Sequence, residues 1–460
     1  MKKINLTKRI ISLIMLTLAL VCLIGCGPAT TNQKQSVEYK KVEHVDWSKN
    51  LSIYEVNIRQ YTPEGTFNAF AEHLPRLKEL GTDILWLMPI HPIGEKNRKG
   101  TMGSYYAVKD YYGINPEFGT EEDFRNLIAK IHEMDMYIII DWVANHSAWD
   151  NQTIFDHPEW YITDSTGSIV PPVEDWSDVA GYNYEVPEMR DYMVDALKYW
   201  VREFDIDGYR CDVAGMVPVD FWNRARYELD QIKPVFMLAE AHEAELHEYA
   251  FDMTYAWSDH FLWNEIAQGK KTIDDLVKQF EKINEEYNSS DYRMNFVSNH
   301  DENSWKGHVF ERMGEASKAF VVLSVTIPGM PLVYSGQEAC LDKRLEFFEK
   351  DTINWEKDCC MDELYTALLK LKKENPALWN GDFGGPMERI ATNADDMIFA
   401  FSRIKDDHKV ITILNLSSEE VEFEFTNQID GSNLTELFTE EEFVNNYKLA
   451  AWNYKVYRTN

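Results

Sequence analysis

Three acidic residues stand where chemistry is easiest to assemble. Asp212 closes the run Gly-Tyr-Arg-Cys-Asp, Glu240 closes Phe-Met-Leu-Ala-Glu, and Asp301 closes Phe-Val-Ser-Asn-His-Asp. Each ends a short β-rich run, and the strand ends of a parallel barrel converge on one mouth, so carboxylates distant in sequence can meet there. Two carboxyl groups of different proton affinity can act as nucleophile and acid at an acetal carbon, which is what cleavage of a glycosidic bond requires. Arg210 precedes Asp212 by two residues, so on a strand the two side chains share a face and the guanidinium favours an ionised Asp212. Glu240 has the opposite need: to donate to a leaving oxygen it must hold a proton, which takes a neighbouring carboxylate or an apolar wall. Taken singly, each acid reads as a turn former or helix cap; the joint placement at successive strand ends is what points to catalysis.

The elements that position these acids alternate from Leu51 onward. Expected strands run over 53–58, 83–88, 137–140 (leading into Asp141), 207–212, 235–240, 250–255, 294–298 and 331–335. Expected helices run over 67–80, 121–134, 187–204, 219–232, 272–286, 316–325 and 361–374. The strands are apolar throughout, as strands covered on both faces are. Eight of them interleaved with helices predict an α/β fold, a (β/α)8 TIM barrel, rather than an open sheet. Residues from about 142 to 186 lose the rhythm and contain Pro158, Gly167, Pro171, Pro172 and Gly181, which marks a small inserted domain after strand 3. After Asn375-Pro376 the pattern changes to alternation, as in Met397-Ile398-Phe399-Ala400-Phe401, and predicts a C-terminal antiparallel β-sandwich over 376–460. The catalytic barrel is expected to occupy 47–375.

The chain of 460 residues carries a formal net charge of −31. No basic surplus is available to neutralise phosphates, so nucleic acid is excluded as an expected partner, whereas a neutral saccharide meets no long-range penalty. Residues 1–25 carry Lys2, Lys3, Lys8 and Arg9 followed by an apolar stretch from Ile10 to Ile24, an export signal rather than a fold element. The stretch ends in Leu23-Ile24-Gly25-Cys26, which resembles the lipobox of bacterial lipoproteins. Lipidation of Cys26 and tethering to a bacterial membrane in the cell envelope are therefore expected, with the polar residues 26–46 as tether. Cys211, Cys340, Cys359 and Cys360 have neither the density nor the spacing of a disulfide scaffold or zinc site, and are expected to be free thiols.

From 47 to 460 the chain resembles the α-amylase family, glycoside hydrolase family 13. The resemblance rests on separate motifs in order: Asp141-Trp142-Val143-Ala144-Asn145-His146, Gly208-Tyr209-Arg210-Cys211-Asp212, Met237-Leu238-Ala239-Glu240, Asn299-His300-Asp301, and the run from Pro328 to Glu338. It implies a retaining hydrolase of α-1,4-glucosidic bonds in starch-like glucans or maltooligosaccharides. Asp212 would be the nucleophile, Glu240 the acid/base, and Asp301 the stabiliser of the transition state. His146 and His300 would bind hydroxyls of the same sugar as Arg210 and its partner, Tyr106 would stack on its face, and Asp141 would fix Arg210 rather than react. No cofactor is required. Asn145 is left as a calcium ligand, but Ala180-Gly181-Tyr182-Asn183 lacks the carboxylate found in many members, so a structural calcium is allowed and not required. Ser104 stands where many members carry a His, and Gly215-Met216 where many α-amylases carry Lys-His. These departures leave two alternatives: a cyclomaltodextrinase- or neopullulanase-like or transglycosylating member, and, from another class, a noncatalytic glucan-binding lipoprotein.

Overall fold

The computed structural model describes residues 38–357, 359 and 361–459. Residues 40–460 pack as one compact unit. Eight parallel strands close into a barrel: β1 (Ile53–Val56), β2 (Ile84–Leu87), β3 (Tyr137–Trp142), β4 (Gly208–Cys211), β5 (Phe236–Ala239), β6 (Met253–Tyr255), β7 (Tyr292–Asn295) and β8 (Met330–Tyr334). Each strand pairs with its neighbours in sequence, and closure comes from β1 against β8, with Ile53 opposite Leu332.

Period-two alternation divides these strands into two jobs. Ile53, Ile84, Ile139, Phe236, Leu238, Met294 and Leu332 fill the lumen, while Tyr54, Leu85, Ile138, Tyr209 and Met237 face the helical layer. Continuing the lumen-facing register by two residues brings Glu55 above Ile53, Asp141 above Ile139 and Arg210 above Gly208. The register sets Asp141 beside Arg210 on adjacent strands. A Cβ at Gly208 would collide with the carbonyl of Phe236, so glycine there allows β4 to approach β5 closely.

Several expected elements differ in detail. The helix expected over 67–80 is two, Phe67–Ala71 and Leu74–Leu80, with Pro75 in the first turn of the second, where its missing N–H costs nothing. The first strand stops at Val56, and Ile58–Tyr61 coils into a helical turn. The seventh ladder spans Tyr292–Asn295 rather than 294–298. The helix Trp257–Ala267 has no counterpart in the sequence reading. Its buried face carries Asp259, ion-paired to Arg293 at 3.0 Å, and His260, bonded to Glu302 at 3.0 Å, so buried polar residues break the apolar periodicity.

The expected tether also gives up residues to the barrel. Val42 N–H donates to the Glu248 carbonyl, and Val45 is buried. His44 bonds Asp252 and the Ser290 carbonyl, each at 2.9 Å, and stacks on Tyr292 at 4.0 Å. The free-thiol expectation is corrected at two positions: Cys340 and Cys359 form a disulfide, while Cys211 is free and buried. Nineteen residues separate the bonded pair, and only the path of the loop after β8 brings them together. Cys26 and Cys360 lie outside the described residues. Among the described residues, no helix is long and apolar enough to cross a membrane.

Beyond the last helix, Met361–Glu374, the chain forms an antiparallel five-stranded sheet and a separate two-stranded one. Val421, Phe423 and Leu449 from the small sheet pack with Ile398, Ala400, Ile411 and Ile413 from the large one, a sandwich of unequal layers. Its junction with the barrel is built on two buried basic side chains. Arg403 donates to the carbonyls of Gly385, Thr326, Ile327, Leu378 and Trp379, and Lys372 donates to those of Gly329 and Leu378.

Candidate active site

The carboxylates expected to meet do meet, and one guanidinium organises them. Arg210 is 1% exposed in its side chain, and its Nη1 lies 2.8 Å from Asp141 Oδ1 and 3.1 Å from Asp212 Oδ1. Its Nη2 lies 2.7 Å from Glu240 Oε2. Asp212 thus stands just past β4 and Glu240 just past β5, bridged by a single planar cation whose fork fixes both. Asp141 holds the far side of the fork and also accepts from Trp86 Nε1 at 3.1 Å and from the Tyr106 hydroxyl at 3.0 Å. It touches the guanidinium as the sequence predicts, and its full burial keeps it away from solvent.

The backbone between the two acids is strained. Val213, a β-branched residue, adopts a left-handed conformation at φ 37°, and its N–H donates to Glu240 Oε2 at 2.8 Å. That oxygen therefore accepts from two donors, which leaves Oε1 as the oxygen to carry a proton. Burial and the charge of Glu240 raise the Asp212 carboxyl well above the usual range, against the pull of Arg210. Burial likewise raises Asp141 to about 6 despite Arg210. Glu55, Asp141, Asp212, Glu240 and Asp301 crowd around two cations, Arg210 and His300, an excess of acidic groups over basic ones.

His300 is the second cation. Its Nδ1 donates to Glu55, its Nε2 lies 2.9 Å from the Tyr106 hydroxyl, and Asp301 Oδ2 is 3.4 Å from the same nitrogen. Burial lowers its proton affinity, but the charges of Asp301 and Glu55 overcome this and raise it to about 9. His300 is therefore doubly protonated at neutral pH, and a chain of donors runs from its Nε2–H through Tyr106 to Asp141. Asp301 sits at the start of a π-helical turn over Glu302–Lys306; its side chain is 37% exposed against 10% for Asp212 and 13% for Glu240, so it faces the open side of the mouth.

Tyr106 is tied in by its hydroxyl as well as offering a ring face, which lies 5.7 Å from the Arg210 guanidinium and nearly parallel to Phe347. His146 begins the inserted hairpin, His146–Ala148 against Val179–Gly181, and packs edge-on to Trp176. Burial lowers its proton affinity to about 3, so it is a neutral hydrogen-bonding group, unlike His300. The Asn145 amide is engaged with His146 Nδ1 at 3.2 Å, and among the described residues no group of three His, Cys, Asp or Glu side chains gathers to hold a metal ion.

Three residues of the site escaped the sequence reading: Glu55, Trp86 and Tyr255, whose hydroxyl accepts from Arg210 Nε at 3.1 Å. Glu55 had a usable signal, since an acid inside the fully buried strand Ile53–Val56 must have a partner. Trp86 and Tyr255 are ordinary strand residues and had none. A cavity of about 610 Å³ lies away from the mouth, bordered by Phe280, Tyr287, Arg293 and Lys405 beside the C-terminal sheet, and contains none of these acids.

A parallel barrel whose strand ends bring an Arg-bridged Asp and Glu pair together is the architecture of a glycoside hydrolase. Sequence comparison agrees: the alpha amylase catalytic-domain profile matches residues 30–164 and 151–382, and the maltogenic amylase C-terminal domain profile matches 389–456. The chain belongs to the α-amylase family, and it is an enzyme. It is 26% identical over 407 residues to a maltogenic alpha-amylase of Bacillus acidopullulyticus, covering 83% of this chain and 67% of that one. It is 26% identical over 409 residues to a cyclomaltodextrinase of Geobacillus thermopakistaniensis, covering 82% and 67%. The crystal structure of an alpha-amylase from Lactobacillus plantarum superposes with a TM-score of 0.81 at 30% identity, covering 89% of this chain and 99% of that one.

Proposed function

We propose that the enzyme hydrolyses α-1,4-glucosidic bonds of starch-like glucans or maltooligosaccharides with retention of configuration. Asp212 is the nucleophile, Glu240 the acid/base and Asp301 the transition-state stabiliser. The observation that carries this reading is the bridging of Asp212 and Glu240 by the one buried guanidinium of Arg210. Covalent glycosyl–enzyme chemistry uses two carboxyl groups about 5 to 5.5 Å apart, and the two nitrogens of one fork gather both acids at the mouth.

Burial and the charge of Glu240 disfavour ionisation of Asp212. Reaction requires the opposite microstate, with Asp212 ionised and Glu240 protonated on Oε1. A saccharide drives that exchange by placing its glycosidic oxygen against Glu240 and its electrophilic carbon against Asp212, where the anion gains most. Protonation of Glu240 then removes the like charge that raises Asp212. His300 and Arg210 donate hydroxyl contacts that hold the sugar, and the ring of Tyr106 supplies an apolar face. After the glycosyl ester forms, Glu240 is ionised and serves as the base that activates water.

A second reading, a cyclomaltodextrinase-like or transglycosylating enzyme, draws support from the cyclomaltodextrinase among the relatives and from Gly215 and Met216 beyond the nucleophile, where Met216 is solvent-exposed. Product sizing on starch, cyclodextrin and maltotriose separates the two. Asp212→Asn tests the central assignment: an enzyme that retained starch cleavage within about tenfold of the parent would refute it, because that is only ~1.4 kcal/mol of barrier. A binder without catalysis would release no reducing sugar from any α-glucan.

We further propose export and lipid anchoring through Cys26. The Cys340–Cys359 disulfide supports an oxidising compartment, where such bonds persist. Incorporation of labelled palmitate that is lost in Cys26→Ala is the expected result.

A further inference from the structure

The catalytic cluster does not end at Tyr106; an aromatic path leads from it to solvent. The Phe347 ring lies 6.2 Å from Tyr106 at 15° to it, and 5.3 Å from Trp305. Phe348 supports both, 5.1 Å from Phe347 and 5.7 Å from Trp305. Trp305 is 51% exposed, four residues after Asp301 in the same π-helical turn. A half-exposed indole on a protein surface carries an apolar cost that a stacking ligand removes.

The path is built to stay in place. Asn303 donates to the Lys343 carbonyl at 3.0 Å and accepts from Leu345 N–H at 2.8 Å, and Ser304 donates to the Leu345 carbonyl at 2.9 Å. These bonds lock the turn carrying Trp305 to the loop carrying Phe347, and the Cys340–Cys359 disulfide closes that loop at its base. Rings held this way lose little freedom when a ligand stacks on them.

We propose that Trp305 and Phe347 form a ledge that carries the sugar units of an α-glucan beyond the one held at Tyr106, on the side of the non-reducing end. The side follows from the acid. Glu240 protonates the leaving oxygen, so the departing chain lies toward β5, and the ledge lies beyond β7 and β8, across the mouth. Pyranose faces are apolar and stack on such rings irrespective of the hydroxyl pattern at their edges, so the ledge selects for chain length. This inference rests on the α-glucan reading above.

The test separates the two. Calorimetric titration of maltohexaose and maltotriose into Asp212→Asn protein, with and without Trp305→Ala, reads binding with no turnover. Loss of the ledge is expected to weaken maltohexaose about tenfold, with maltotriose within about twofold and Trp305→Phe restoring most of the difference. Unchanged maltohexaose binding, or an equal loss for both sugars, overturns the ledge. Phe347→Leu gives a second route to the same comparison and is expected to shift maltohexaose in the same direction. A protein whose maltohexaose binding depends on Trp305 but which cleaves no α-glucan overturns the hydrolytic reading and keeps the ledge. One that binds neither sugar overturns both.

Discussion

Arg210 and Arg403 are both 1% or less exposed, yet they do opposite work. Arg210 is surrounded by acidic groups: burial opposes its charge, but Asp141 and Glu240, with the Tyr255 and Tyr106 hydroxyls, raise its proton affinity well above the ordinary value. Arg403 has only backbone carbonyls as hydrogen-bond partners. From the C-terminal sheet it reaches those of the barrel, at Thr326 and Ile327, and of the connecting segment, at Leu378, Trp379 and Gly385, and burial pushes its proton affinity down to about 9. The barrel mouth thus buries excess negative charge around a cation, an unstable arrangement that substrate can relieve. The junction buries a cation among neutral acceptors, where nothing is left to react. A buried arginine signals function only when its partners are themselves titratable.

The largest expected effect lies at the mouth. Asp212→Asn should lower kcat on maltohexaose by at least about 1,000-fold, about 4 kcal/mol of barrier. Its thermal midpoint should stay the same or rise, because an acid whose ionisation burial and Glu240 disfavour is replaced by a neutral amide; calorimetry alongside product assay reads both.

At the junction the pattern should invert. Arg403→Met leaves several carbonyls without a donor and is expected to cost about 3 kcal/mol in urea unfolding. The kcat of the folded fraction should be unchanged. A large kcat loss would show that the two regions are not separable.

A subtler contrast concerns His300, whose raised affinity depends on Glu55 and Asp301. The parent should lose activity on the alkaline side near pH 9, where His300 gives up its proton. Glu55→Gln removes one of the charges holding that proton, so the alkaline limb should move to lower pH by about one unit. An unmoved limb would assign it to another group.

The smallest effect is expected at the bottom of the barrel. Burial lowers the proton affinity of His44, but the hydrogen bond and charge of Asp252 outweigh it, and the net shift is upward. A group raised on folding stabilises below its ordinary value of 6.5 and loses that contribution as pH rises through its folded value. His44→Ala should therefore cost about 1 kcal/mol at pH 5.5 and less at pH 8.5, measured by denaturant titration.

How much of this was legible beforehand depended on whether a residue's role is local. Asp212, Glu240 and Asp301 announced themselves because each ends an apolar run, and strand ends share one mouth in this fold. The helix Pro187–Phe204 was visible to its boundaries, since its apolar face is uninterrupted. The helix Trp257–Ala267 was not, because Asp259 and His260 are buried against partners far along the chain. Tyr255 was hidden for the same reason: its significance lies in Arg210, which only closure of the barrel brings near, whereas Glu55 was legible as a buried acid and only its partner, His300, was not. The Cys340–Cys359 bond and the Phe347–Trp305 contact depend on the course of one loop, and loop paths carry no periodic signal.

The carbonyls held by Lys372 and Arg403 include those of Thr326, Ile327 and Gly329, which lead directly into β8, and the loop leaving β8 carries Phe347. The C-terminal sheet is accordingly a keystone for the last stave of the barrel. A protease or a truncation that removed the sheet would loosen the foundation of that stave, so shortened forms of the enzyme should fail first at the rim that grips long chains, while the acids on β4 and β5 still stood in place.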